Sequence, residues 1–170
     1  MDHFARLGLP AALELEPASL DKAYFALQRQ WHPDRFVARP PDERARASTE
    51  AAALNDAYRT LKDPLSRAFY LAELRGVELP GDGKTIDDPD LLMEAMEARE
   101  ALHEAASPDA VGALAEQAKR QAQDALKELA DLFLHDDKPA IRKTLLRLRY
   151  FDKFAEEARA RHMNLERSRA

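Results

Sequence analysis

Residues 32–34 of this chain read His-Pro-Asp, an imidazole and a carboxylate held apart by a proline. Such a pair can relay a proton, supply half of a metal site, or grip a charged group on another macromolecule. Proton-relay catalysis needs a nucleophile or further acid–base groups to complete it. The sequence offers no cysteine and no Gly-x-Ser-x-Gly segment. A metal site needs ligands at matched spacing, and the five histidines are scattered with no His-Glu-x-x-His among them. Two readings remain for the triplet taken alone. One is a helix end stopped by proline, with Asp34 making a local turn. The other is a contact for a partner.

A second constellation is the segment from Leu91 to Ala105, "LLMEAMEAREALHEA". At about 100° per residue, Leu91, Ala95, Ala98 and Leu102 share one face, the natural core face. Leu92, Met93 and Met96 fall outside it and group with Glu97, Glu100 and Glu104. Flexible apolar side chains beside carboxylates suit an adaptable contact patch. Equally, Leu92 and Met96 can cover a broad core while the glutamates are merely solvated. His103, His135, and the pairs Asp87-Asp88 and Asp136-Asp137 have the right elements for a metal but not the spacing. Their places between helices suit turns and helix starts, and no metal or other cofactor is expected.

Composition sets the frame around these residues. The chain has 170 residues, is 45% hydrophobic and 34% charged, and has five glycines and no cysteine. Alanine, leucine, glutamate and arginine dominate, a mix that loses little side-chain entropy in a helix. Disulfides and Cys-based metal ligation are excluded. No apolar run of about 18 residues can span a membrane, the start lacks a signal-peptide pattern, and cytoplasmic residence is expected. Residues 76–109 carry 10 Asp/Glu against 2 Lys/Arg. Such an acidic block repels phosphate and argues against nucleic acid as a partner, while suiting a basic protein.

The elements that must position these side chains read as helices throughout. A short apolar segment, Phe4 to Leu9, is expected to stop at Pro10. Ser19 is a plausible N-cap for a helix with Leu20, Tyr24, Leu27 and Trp31 in one stripe. Lys22, Ala26 and Arg29 lie on another face as a small basic track. Asp42 is a candidate cap for the next helix, marked by Ala47, Ala51, Leu54, Tyr58 and Leu61, and the two should pack antiparallel around the His-Pro-Asp loop. A further helix restarts after Asp63-Pro64. Arg75 to Asp90 holds three of the five glycines and two prolines, the one convincing boundary. Three helical patterns follow, at about 89–105, 108–134 and 138–163, able to bury a common core. The expectation is an all-α chain with an N-terminal domain over 1–75, a linker over 76–88 and a three-helix C-terminal domain over 89–170.

"HFARLGLP", "YFALQRQWHPDRF" and "LNDAYRTLKDPLSRAFYL" together resemble a J domain, the module that stimulates DnaK-type ATPase chaperones. The likeness covers about residues 2–75. With "LMEAMEARE" and "LRYFDKF", the whole chain resembles the HscB-type J-domain co-chaperones of iron–sulfur cluster assembly. The resemblance implies that His32, Pro33, Asp34, Lys22, Arg29 and Arg35 contact a dedicated DnaK-type (HscA-like) chaperone. It implies that Leu92, Met93, Met96, Glu97, Glu100, Glu104 and Tyr150 receive an iron–sulfur cluster scaffold protein (IscU-like). Met96 stands where the family tends to have leucine, and Tyr150 where it tends to have phenylalanine. Tyr150 lies nearly opposite Ile141 and Leu148 on its helix, so it can project outward. On this view the chain binds neither ATP nor a cluster and is not an enzyme.

Overall fold

Proline stands in the first turn of every helix but the shortest, where its missing N–H leaves no intrahelical bond unmade. The computed structural model describes residues 1–80 and 88–168. These form seven α-helices and one 3₁₀ turn, with no strand among the described residues, so the fold is all-α. The chain divides into two units, Met1–Leu71 and Ala72–Ala170.

The first unit holds α1 (His3–Leu7), α2 (Pro17–Trp31), the 3₁₀ turn Pro33–Phe36, α3 (Pro41–Lys62) and most of α4 (Pro64–Leu74). Helix α1 ends not at Pro10 but at Gly8, whose φ of 65° is left-handed. Its N–H and that of Leu9 close back onto the carbonyls of Ala5 and Phe4, a helix stop that a side chain would strain. Helix α2 begins at Pro17, with Glu16 as the flanking residue, so Ser19 lies inside the helix and caps nothing. Likewise α3 begins at Pro41 and Asp42 sits in its first turn. In both places a fixed proline φ opened the helix ahead of the expected cap.

Helices α2 and α3 are antiparallel, as their cross-links show. The Tyr58 hydroxyl donates to Asp21 at 2.7 Å, and the Tyr24 hydroxyl to Asn55 at 2.8 Å. The Tyr24 and Tyr58 rings stack with centroids 4.0 Å apart, and the Arg46 guanidinium lies over Trp31 at 5.7 Å. Partners thus fall along one helix as they rise along the other. Leu20, Ala47, Leu54, Ala57 and Leu61 are buried between and beneath these helices. Asp63 ends α3 and then accepts from the Ser66 N–H at 2.7 Å, opening α4 one residue on. Arg67, on α4, donates to the carbonyls of Leu13 and Leu61 at 2.7 and 2.6 Å. Burial lowers its pKa. The backbone N–H of His3 donates to the Tyr70 hydroxyl at 2.9 Å, and the two rings stack at 4.3 Å. The two ends of this unit are therefore clasped together.

The second unit is built on α5 (Pro89–Glu104), α6 (Pro108–His135) and α7 (Lys138–Arg167). Asp88, Ser107 and Asp137 each accept a backbone N–H from the first turn of the helix they precede, satisfying donors that otherwise lack partners. Asp136 adopts a left-handed φ of 53° and closes α6. Asp88, Asp136 and Asp137 are thus helix-terminal residues; Asp87 lies outside the described residues. Gly112, near the start of α6, approaches His162 near the end of α7 so closely that an added Cβ would stand 3.3 Å from its ring. The two long helices therefore run antiparallel. Of the expected linker over 76–88, residues 81–87 lie outside the described residues. Glu78 and Pro80 are tied to α7, their carbonyls accepting from Arg142 and Arg149 at 3.2 and 3.4 Å.

Candidate functional site

The His-Pro-Asp triplet occupies the corner between α2 and the 3₁₀ turn. His32 is the last residue before the turn and is extended, with φ −60° and ψ 129°, because the residue before a proline is driven from the α region. The Asp34 N–H donates to His32 Nδ1 at 3.3 Å. With the ring neutral, its proton therefore sits on Nε2. The Asp34 carboxylate lies 3.6 Å from Nδ1, an ion pair only when the ring is protonated. Both side chains are open to solvent, His32 at 54% and Asp34 at 86% exposure. A buried acid–base pair would look different, so this carboxylate is free to accept from an incoming cation.

Arg35 is anchored from the other side. Its guanidinium donates to the carbonyl of Arg29 at 2.9 Å, one of the last carbonyls of α2 and so without a helical partner. The bond folds the 3₁₀ turn back along α2 and carries a cation to the negative end of that helix. Trp31 and Phe36 stack nearly parallel, 4° apart in plane, and brace the same corner. The side chains of Lys22 and Arg29 are exposed and form no hydrogen bond or ion pair with any described residue. The six residues expected at this site thus lie on one helix and the turn that follows it.

On α5, Leu91 and Ala95 are buried, while Leu92, Met93 and Met96 are 42%, 66% and 64% exposed. Of the two readings open for these residues, the core reading fails and a surface patch remains. Glu97, Glu100 and Glu104 are also exposed and have no partner among the described residues. Glu104 ends the helix, where the backbone dipole is already negative and an anion is unfavourable by about 0.3–1 kcal/mol. The helix therefore presents an apolar beginning and an acidic end, and neither property helps it fold.

Tyr150 departs from expectation. It does not project outward; it is half-buried, and its hydroxyl donates to the carbonyl of Ala95 at 3.0 Å. The physical reason is that α7 has two working faces. Ile141, Leu145 and Leu148 form one buried stripe. A second stripe, at Lys143, Arg147, Tyr150 and Arg161, holds α5. Lys143 pairs with Asp90 and Asp88 at 3.2 and 3.5 Å, Arg147 with Glu94 at 3.1 Å, and Arg161 donates to the Ala105 carbonyl at 3.1 Å. Burial pushes the Tyr150 pKa up, with the nearby Arg99 opposing it.

Among the described residues, no group of three or more His, Asp or Glu is gathered to hold a metal ion. No helix there is long and apolar enough to cross a membrane.

The DnaJ domain family matches residues 2–70, and the family described as the HSCB C-terminal oligomerisation domain matches residues 87–159. The chain is 38% identical over 167 residues to the Co-chaperone protein HscB homolog of Burkholderia multivorans, covering 96% of this chain and 95% of that one. It is 45% identical over 136 residues to the homolog from Cupriavidus taiwanensis, covering 76% and 77%. Among solved structures, the chaperone HscB from Vibrio cholerae matches with a TM-score of 0.83 at 34% identity, over 97% of this chain and 99% of that one. Human co-chaperone protein HscB matches with a TM-score of 0.88 at 31% identity, over 97% and 84%. A J domain over the first unit, an HscB-type helical domain over the second and relatives matched along nearly their whole length lead to one conclusion: the chain belongs to the HscB family of J-domain co-chaperones.

Proposed function

We propose that this chain stimulates the ATPase of a dedicated DnaK-type (HscA-like) chaperone and delivers an iron–sulfur cluster scaffold protein (IscU-like) to it, promoting cluster assembly and transfer. The observation that carries the reading is the exposed, proline-fixed His32–Asp34 corner at the end of a helix whose Lys22 and Arg29 have no ion-pair partner among the described residues. Asp34 is suited to a charge-assisted bond with an arginine of the chaperone's ATPase domain. Pro33 and the Arg35 anchor limit the loop's freedom, so less entropy is lost on docking. Stimulation is then allosteric: the J domain favours the hydrolysis-competent state of the chaperone, and ATP is cleaved in the chaperone's own site.

The scaffold protein docks on α5, with Leu92, Met93 and Met96 as the apolar contact and Glu97, Glu100 and Glu104 facing basic groups. Tyr150 acts from behind, holding the helix rather than touching the scaffold. Binding both partners raises the scaffold's effective concentration at the chaperone. The chain works in the cytoplasm as a carrier and trigger, with no chemistry of its own. The deciding experiment measures ATP turnover by the chaperone with the chain and scaffold added singly and together. Stimulation by the chain, increased by scaffold and abolished in Asp34→Asn, is the expected result. Full stimulation by folded Asp34→Asn would overturn the reading.

A further inference from the structure

Seven residues before His32, on α2, stands Phe25. It is 56% exposed, although the helix has a buried face that could have taken an aromatic ring. Phe25 and Arg29, at i and i+4, share one side of α2, and His32 follows at i+7 just past the helix end. With Gln28 and Arg35 they line an open groove of about 520 Å³ whose wall is mostly apolar. The groove is thus lined by an aromatic ring, by the histidine of the His-Pro-Asp corner and by the two cations Arg29 and Arg35. A lone exposed phenylalanine needs no explanation. One that forms a groove with the functional corner is differently placed.

We infer that Phe25 is an apolar anchor for the chaperone's ATPase domain. The inference rests on the proposed chaperone docking at His32–Asp34. Two observations favour that occupant. The groove is continuous with the corner, so whatever covers His32 also covers Phe25. The cations in its lining, Arg29 and Arg35, select an apolar side chain bordered by carboxylates. Aromatic and arginine side chains side by side are the usual make-up of binding hot spots. The basic residues guide the approach, and their effect is screened by salt. Contact through Phe25 is apolar and not screened in this way.

The test uses the full chain and its DnaK-type chaperone, and reads the concentration giving half-maximal ATPase stimulation at low and high salt. Phe25→Ala is expected to raise that concentration about tenfold, by the same factor at both salt levels, with maximal stimulation kept. Phe25→Leu should fall between the two, with thermal unfolding confirming that both variants are folded. Arg29→Ala should instead have an effect that shrinks as salt rises. If Phe25→Ala stays within about twofold of the unsubstituted chain while Asp34→Asn is inactive, the anchor is refuted and the docking corner stands. If Asp34→Asn also stimulates fully, the docking reading itself falls.

Discussion

The Tyr150 hydroxyl donates a 3.0 Å hydrogen bond to the carbonyl of Ala95, joining α7 to the helix that carries Leu92, Met93 and Met96. Tyr150→Phe keeps the ring and its edge-on contact with Phe151 but removes the tie. The expected cost is about 0.5–1.5 kcal/mol of stability in the second unit. Because the hydroxyl positions α5, scaffold affinity is expected to hold or fall slightly; a fall larger than the stability loss allows would instead mean that it contacts the scaffold directly. Calorimetric titration with scaffold, beside thermal unfolding, separates the two.

The same hydroxyl makes alkaline pH a probe of this contact. Burial raises its folded-state pKa above the ordinary 10.0. Below pH 10.0 its contribution is intact. As pH rises beyond that value the unfolded chain releases the proton first, so stability is lost through the folded pKa. A stability profile above pH 9 should therefore be flatter in Tyr150→Phe than in the unsubstituted chain.

At the other end of the scale stands Asp88, which caps α5 and pairs with Lys143. The N–H of Leu91 is the main cause of its pKa lying below the ordinary 3.8, with Lys143 adding to the effect. Its stabilisation is thus present above pH 3.8 and is lost as pH falls through the lower folded value. Asp88→Ala should cost about 1 kcal/mol at neutral pH. Asp88→Asn keeps a capping oxygen and should cost less, while removing this part of the acid dependence. Urea titrations at pH 7 and pH 3 measure both.

Replacing Leu92, Met93 and Met96 together by alanine should leave the second unit folded, because all three side chains are exposed. Surface changes of this kind usually shift stability by no more than about 0.5 kcal/mol each. Scaffold binding should be lost, while stimulation of the chaperone without scaffold persists. A cooperative unfolding transition and a pull-down with purified scaffold check the two halves of the prediction.

The basic residues beside the corner should divide into two kinds. Lys22→Ala and Arg29→Ala should slow association with the chaperone, on the order of tenfold at low salt and far less at high salt. Arg35→Ala also frees the 3₁₀ turn from the Arg29 carbonyl. It should lower maximal stimulation as well as affinity, and the loss of maximum should remain at high salt. Stopped-flow association and steady-state ATPase assays across a salt series distinguish them.

The helices of the second unit were legible because each is opened by a short polar cap and a proline, at Asp88-Pro89, Ser107-Pro108 and Asp137–Pro139. In the first unit the same logic misplaced two starts. Ser19 and Asp42 are good capping types, yet Pro17 and Pro41 had already fixed the first turn. The His-Pro-Asp corner was legible as a motif, but not as a 3₁₀ turn locked by Arg35. A guanidinium reaching back six residues leaves no periodic signal. Tyr150 was misread because a single-stripe view assumes one buried face, and α7 has two. The run Lys143, Arg147, Tyr150 recurs at helical spacing, and that was the signal available for the second face. Phe25 was visible at i and i+7 with His32, but exposure depends on neighbours that sequence does not supply.

The bond between the His3 backbone and the Tyr70 hydroxyl has a consequence for how this chain matures and how it can be cut. Helix α1 finds its aromatic partner only at the far end of the unit, 67 residues on. During synthesis the first helix can settle on α3 as that helix emerges, but its bond to Tyr70 must wait until α4 is made. A proteolytic or recombinant fragment ending before residue 70 would carry every residue of the trigger corner and still lack the latch that closes the unit around it.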